Sequence, residues 1–214
     1  MQLGPGGRRL AAVPQLAPRA WRLAAVPLAV AGLLLALSSG WGIVALGVAA
    51  GVLWFHRDPD RTPPSEGVLA PADGTVTVIR EEDDRLRVGV FMGVTDVHVN
   101  RAPMGGTVTA LEHVPGAHRP AFSKESRRNE RVRMAIGDID VILIAGAFAR
   151  RIHPYVEEGD SLDRGERIGH VSFGSRADVL LPPSVSRDDV RVETGETVRA
   201  GETVLAGTPT ASAD

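Results

Sequence analysis

The charged, proline-rich stretch Arg57-Asp58-Pro59-Asp60-Arg61-Thr62-Pro63-Pro64 divides the chain into two parts with different apolar patterns. Before it, two apolar runs at 23–38 and 41–55 are separated by Ser38-Ser39-Gly40 and flanked by Trp21, Trp41 and Trp54. After it, apolar residues come in short β-branched runs between Gly and Pro, at 75–79, 86–90, 96–99, 107–111, 131–135, 141–145, 168–173 and 179–181. Short strands at such close spacing indicate a mainly β domain. The expected fold is a twisted β-sandwich or barrel-like domain over 57–214, preceded by an α-helical membrane hairpin over 23–56. Residues 1–22, with Arg8, Arg9, Arg19 and Arg22, read as a disordered basic lead-in.

Each apolar run is about 15 residues long, short of the ~20 that a full membrane span takes. A tight hairpin fits best; a single tilted span and a helical pair buried in a soluble core are the alternatives. Arginines stand at both ends, Arg19 and Arg22 before and Arg57 and Arg61 after. That places both ends, and the β domain, on the cytoplasmic side of the cell membrane. A cleaved signal would need one apolar run and a small-residue site, which Trp54-Phe55-His56 does not offer.

Composition removes several chemistries. None of the 214 residues is cysteine, so disulfides, thiolate metal sites and cysteine nucleophiles are excluded. With 24 basic against 26 acidic residues the net charge is -2, so nucleic acid is not expected as a partner. Lys124 is the only lysine, which leaves amine chemistry on a lysine side chain a single candidate. The sequence leaves a homo-oligomer open.

A turn segment repeats: Gly159-Asp160-Ser161-Leu162-Asp163-Arg164-Gly165-Glu166 recurs as Gly195-Glu196-Thr197-Val198-Arg199-Ala200-Gly201-Glu202. Hairpin elements of this kind also build biotinyl and lipoyl carrier domains. The first copy runs on into Phe173-Gly174-Ser175-Arg176. A serine hydroxyl attacks the preceding carbonyl if a base takes its proton and the backbone bends into reach, and glycine supplies the bend. Gly-Ser alone is also a common turn.

His98 is the candidate base, in a segment whose alternation would set Asp96, His98 and Asn100 on one face of a strand. Asp73, in Ala70-Pro71-Ala72-Asp73-Gly74, is the candidate orienting acid. The bland readings are a satisfied structural histidine and a turn aspartate. No metal is expected, because Asn100 is a poor ligand and His113, His118, His153 and His170 lack ligand spacing.

These motifs join others in chain order: Arg57-Asp58-Pro59, Asp96-Val97-His98-Val99-Asn100-Arg101-Ala102-Pro103, Asn129-Glu130-Arg131, Ile144-Ala145-Gly146, Ala149-Arg150-Arg151-Ile152, Gly165-Glu166-Arg167-Ile168-Gly169 and Phe173-Gly174-Ser175-Arg176-Ala177-Asp178-Val179. Together they resemble the phosphatidylserine decarboxylase family, specifically its short bacterial and archaeal members. The resemblance implies a precursor that cuts itself between Gly174 and Ser175 into a β chain, 1–174, and an α chain, 175–214, which stay associated. Ser175 would form an ester with Gly174, eliminate to dehydroalanine and hydrolyse to a pyruvoyl group. That group would form a Schiff base with the amine of phosphatidylserine, or of its ether counterpart archaetidylserine, and accept electrons as CO2 leaves.

Asp73 and His98 match the family's acid and base. Longer members carry a second histidine where this chain has Arg101, so His98 would serve self-cleavage, protonation of the decarboxylated carbon, or both. Arg101, Arg150, Arg151 and Arg176 are candidates for the headgroup phosphate or carboxylate. Two rivals fit worse. A biotinyl/lipoyl-like carrier or adaptor needs a lysine at a hairpin tip, whereas Lys124 lies outside both repeats. A β-rich metallopeptidase lacks its ligands.

Overall fold

The computed structural model describes residues 16–17, 20–37, 40–117, 128–146, 151–171 and 174–207. Two helices, α1 (Ala20–Ala36) and α2 (Trp41–Phe55), form an antiparallel hairpin. Small residues let them approach: Ala24, Ala31, Gly42 and Ala49 are buried, and a Cβ on Gly42 would lie 2.5 Å from Leu35 Cγ. The large side chains point outward, among them Val26, Leu33, Trp41 and Ile43. Neither helix is long and apolar enough to cross a membrane. Helix α1 begins within the expected lead-in, and Ala17 is buried and donates its amide to the His56 carbonyl at 2.8 Å.

The rest is mainly β. Its strands are β1 (Val68–Leu69), β2 (Gly74–Glu82), β3 (Arg85–Phe91), β4 (Val99–Arg101), β5 (Gly106–Val114), β6 (Arg131–Ile136), β7 (Ile139–Ile144), β8 (Ile152–Pro154), β9 (Ser161–Leu162), β10 (Arg167–Val171), β11 (Arg176–Leu180), β12 (Thr197–Val198) and β13 (Val204–Ala206). One curled antiparallel sheet of eight strands runs β12-β2-β3-β11-β7-β6-β5-β9; smaller sheets are β4-β10-β8 and β1-β13. The core takes alternate side chains of the large sheet, such as Val88, Val90, Met134, Leu143, Ala177 and Val179. On the opposite face of the central strands, Ile142, Ile144 and Leu180 form a second buried cluster.

The turn repeat proves to be half of a larger pseudo-twofold unit. Ala70-Pro71-Ala72-Asp73-Gly74-Thr75-Val76 pairs with the second turn copy, and Ala102-Pro103-Met104-Gly105-Gly106-Thr107-Val108 with the first. Val76 N–H donates to Glu196 O and Gly195 N–H to Val76 O; Val108 N–H donates to Asp160 O and Gly159 N–H to Val108 O, all at 2.8–2.9 Å. The halves are joined reciprocally, Arg101 N–H to Pro71 O at 2.9 Å and Leu69 N–H to Pro103 O at 3.0 Å. The match is broken at four positions: Asp73, Asn100, Arg101 and Ala72 stand opposite Gly105, Val68, Leu69 and Met104.

Most expected strands form, with one correction that bears on the site. β4 starts at Val99, so Asp96 and His98 precede the strand and the one-face arrangement does not form. The cause is local. Asp96 Oδ2 accepts the Gly93 N–H at 2.7 Å and closes a turn that competes with strand pairing.

Candidate active site

Ser175 is fully buried immediately before β11, the strand held between β3 and β7. Its carbonyl accepts the Met92 N–H at 2.9 Å and its Oγ lies 4.0 Å from Met92 Sδ. Gly174 has φ +63°, a left-handed conformation that costs a side-chain-bearing residue energy and that turns the chain sharply into the strand. Met92 is placed by another close approach. A Cβ on Gly74 would drive into the Phe91 carbonyl, so only glycine lets β2 lie this tightly against the end of β3.

His98 is buried against Phe55, ring centroids 4.3 Å apart, where α2 ends. Its Nδ1–H donates to the Asp96 carbonyl at 2.9 Å, which leaves Nε2 as the basic nitrogen. Burial pushes its pKa down to about 4; the Asp96 contacts oppose the shift, and His56 and Arg57 add to it. The imidazole is therefore neutral at ordinary pH. The His98 carbonyl accepts the Val171 N–H at 3.4 Å, which ties it to the end of β10 shortly before Ser175.

Asp73 is engaged elsewhere than at His98. Its two oxygens receive Arg61 Nη2 at 2.7 and 3.0 Å, and Oδ1 also takes the Ala200 N–H at 2.8 Å. Arg61 continues to Glu202 at 3.1 Å. The carboxylate thus clamps the proline-rich linker to the second turn copy.

Two of the arginine candidates are committed to buried carboxylates. Arg101 donates to Asp58 at 2.9 Å and to the Gly165 and Pro59 carbonyls, and Asp58 also binds Arg167. Arg176 donates to both oxygens of the fully buried Asp178 at 2.7 and 3.0 Å, and Arg87 to the same carboxylate at 2.7 Å. Arg151 is exposed and has no ion-pair partner among the described residues. It lines a cavity of about 520 Å³ with His113, Glu130 and His153, among others. Arg150 lies outside the described residues.

Sequence spacing missed a cluster of imidazoles. His153 stacks on His170 at 5.0 Å, with His56 at 6.0 Å and Tyr155 at 6.1 Å from the same ring. Pairing of β8 with β10 sets His153 directly opposite His170. No spacing rule within one strand would have found a contact made across a ladder.

Ser175, buried after a left-handed glycine, and the buried imidazole of His98 just before β4 are interior groups, unlike the exposed hairpin tip that a carrier presents. Comparison with known proteins agrees. The family model for phosphatidylserine decarboxylase matches residues 48–206. A Halobacterium salinarum protein, provisionally named an archaetidylserine decarboxylase proenzyme, is 63% identical over 190 residues, covering 88% of this chain and 97% of its own. A phosphatidylserine decarboxylase proenzyme of Streptomyces griseus is 48% identical over 192 residues, covering 86% and 88%. The chain belongs to the phosphatidylserine decarboxylase family.

Proposed function

We propose that the chain is the precursor of a membrane-associated decarboxylase that converts phosphatidylserine or archaetidylserine to the corresponding phosphoethanolamine lipid and CO2, using a pyruvoyl group made from Ser175. The observation that carries this reading is Ser175 itself: a buried hydroxyl preceded by a left-handed glycine, at the head of a strand paired on both sides. The surroundings fit the group, since Met92, Asn100 and Ser175 are all fully buried and would shield a reactive ketone from bulk water. When formed, the pyruvoyl group supplies a carbonyl that condenses with the substrate amine and takes up the electron pair released with CO2.

The chain's own residues do the rest. His98 Nε2, neutral and held in one tautomer, takes the Ser175 hydroxyl proton and later holds a proton for the reacting carbon. Asp73 acts at one remove, by fixing Arg61 and the Ala200 turn. Arg151 and His153 in their cavity receive the phosphate or carboxylate of the headgroup, because Arg101 and Arg176 have spent their donors on Asp58 and Asp178. The outward Leu, Val, Ile and Trp side chains of α1 and α2 sit in the cytoplasmic leaflet and keep the pocket at the lipid surface.

The test is CO2 release from vesicles carrying either the diacyl or the ether phosphoserine lipid. Release from at least one is expected, with a phosphoethanolamine lipid as product; release from neither sinks the reading. Arg151→Ala should raise KM about tenfold, the worth of one charge-assisted contact, with a smaller change in kcat.

A further inference from the structure

Asn100 is one of the four positions at which the pseudo-twofold halves differ, and neither the ion-pair networks nor the steps above use it. Its side chain is fully buried. Nδ2 has two weak contacts, Pro71 O at 3.4 Å and Met92 Sδ at 3.6 Å. Oδ1 has no hydrogen-bond partner among the described residues. Its counterpart in the other half, Val68, is apolar and equally buried, so packing alone does not call for a carboxamide here.

Next to it is the Ser175 hydroxyl, whose one hydrogen-bond contact among the described residues is the same Met92 sulfur, at 4.0 Å. A thioether is a weak acceptor. Two sealed polar groups thus flank one sulfur atom, each lacking a proper partner, and a buried unsatisfied group carries a free-energy penalty that a stable fold retains chiefly at functional sites.

We propose that Asn100 is the positioning residue for Ser175 in the precursor: its carboxamide replaces the Met92 sulfur as the hydroxyl's partner and holds Oγ toward the Gly174 carbonyl carbon. The step it serves balances without a co-reactant. Oγ bonds to the Gly174 carbon, the Gly174–Ser175 C–N bond breaks, and the hydroxyl proton passes by way of the base to the freed nitrogen. The inference rests on the self-cleavage reading above.

The experiment follows freshly made full-length chain on denaturing gels and takes the half-time of its conversion to two bands, for wild type, Asn100→Leu, Asn100→Asp and Met92→Leu. Asn100→Leu, similar in volume but without a hydrogen-bonding group, should lengthen the half-time at least about tenfold, the rate equivalent of one hydrogen bond. Asn100→Asp keeps an acceptor and should restore cutting, with a new dependence on pH from its own titration. Met92→Leu removes the competing sulfur and should cut at least as fast as wild type.

Asn100→Leu cutting within twofold of wild type, Asn100→Asp slowed as much as Asn100→Leu, or Met92→Leu slowed tenfold would each overturn the proposal. If Asn100→Leu fails to fold, Asn100→Asp and Met92→Leu still decide it. Wild type that never cuts would instead remove the precursor reading itself.

Discussion

Ser175→Ala is expected to remain one uncut chain of 214 residues under conditions where the wild type resolves into fragments 1–174 and 175–214 on a denaturing gel. The effect should be all or none, because alanine has no atom to attack the Gly174 carbonyl. Intact mass should find the smaller wild-type fragment blocked by a ketone at its first residue. Under native conditions the two fragments should migrate together. The smaller one contributes β11, β12 and β13, which pair with β3 and β7, with β2, and with β1. Its Ala177, Val179, Leu181, Val198 and Leu205 lie in the common core. Apolar burial does not depend on the severed peptide bond, so the cut should leave the fold standing. Wild-type chain that stays whole with a free serine after long incubation would sink both the cofactor and the enzyme reading.

The change from helices to strands across the Arg57–Pro64 stretch was legible because the apolar period changes there, and the longer strands were legible from their β-branched runs. What stayed hidden is what two or three residues do. Strands β1, β9 and β12 are too short to show a period, yet they close the two pseudo-symmetric halves. The turn copies were visible as a repeat, but the Ala-Pro strands that pair with them were not, because the first strand pairs with the second turn and the second strand with the first. Once paired, the comparison of Asp73 with Gly105 becomes informative: in the other half the Arg164 N lies 3.5 Å from where a Gly105 Cβ would be, in place of the Ala200–Asp73 bond. Partners across long sequence distance were equally hidden. Nothing near Asp73 announces Arg61 as its cation, and nothing near Arg101 announces that Asp58 holds it. Both links run through the linker, which the sequence presents only as a charged break.

Replacing His98 with glutamine should cut the rate of self-cleavage, and of decarboxylation by any chain that matures, by a factor on the order of 10² to 10⁴, the usual worth of a positioned base. Glutamine keeps a donor for the Asp96 carbonyl but has no nitrogen that can take a proton. The pH profile separates this role from packing. With a pKa near 4 in the fold, the imidazole is basic throughout the neutral range, so the wild-type cleavage rate should be nearly level from pH 5.5 to 8 and fall toward pH 4. A profile bending at 6.5, the ordinary histidine value, would mean that His98 is not the base or is not sealed as described.

Stability should carry the same signature, best measured in the uncut Ser175→Ala chain. Between about 4 and 6.5 the unfolded chain binds a proton on His98 that the folded chain does not. Acidification therefore favours unfolding across that window, and the full stability is present only above 6.5. The urea midpoint should rise from pH 4.5 to pH 7, and adding His98→Gln should flatten that rise while leaving the contributions of other groups in place. If the slope is unchanged by the substitution, the imidazole is not buried and neutral, and its assignment as base to Ser175 loses its physical support.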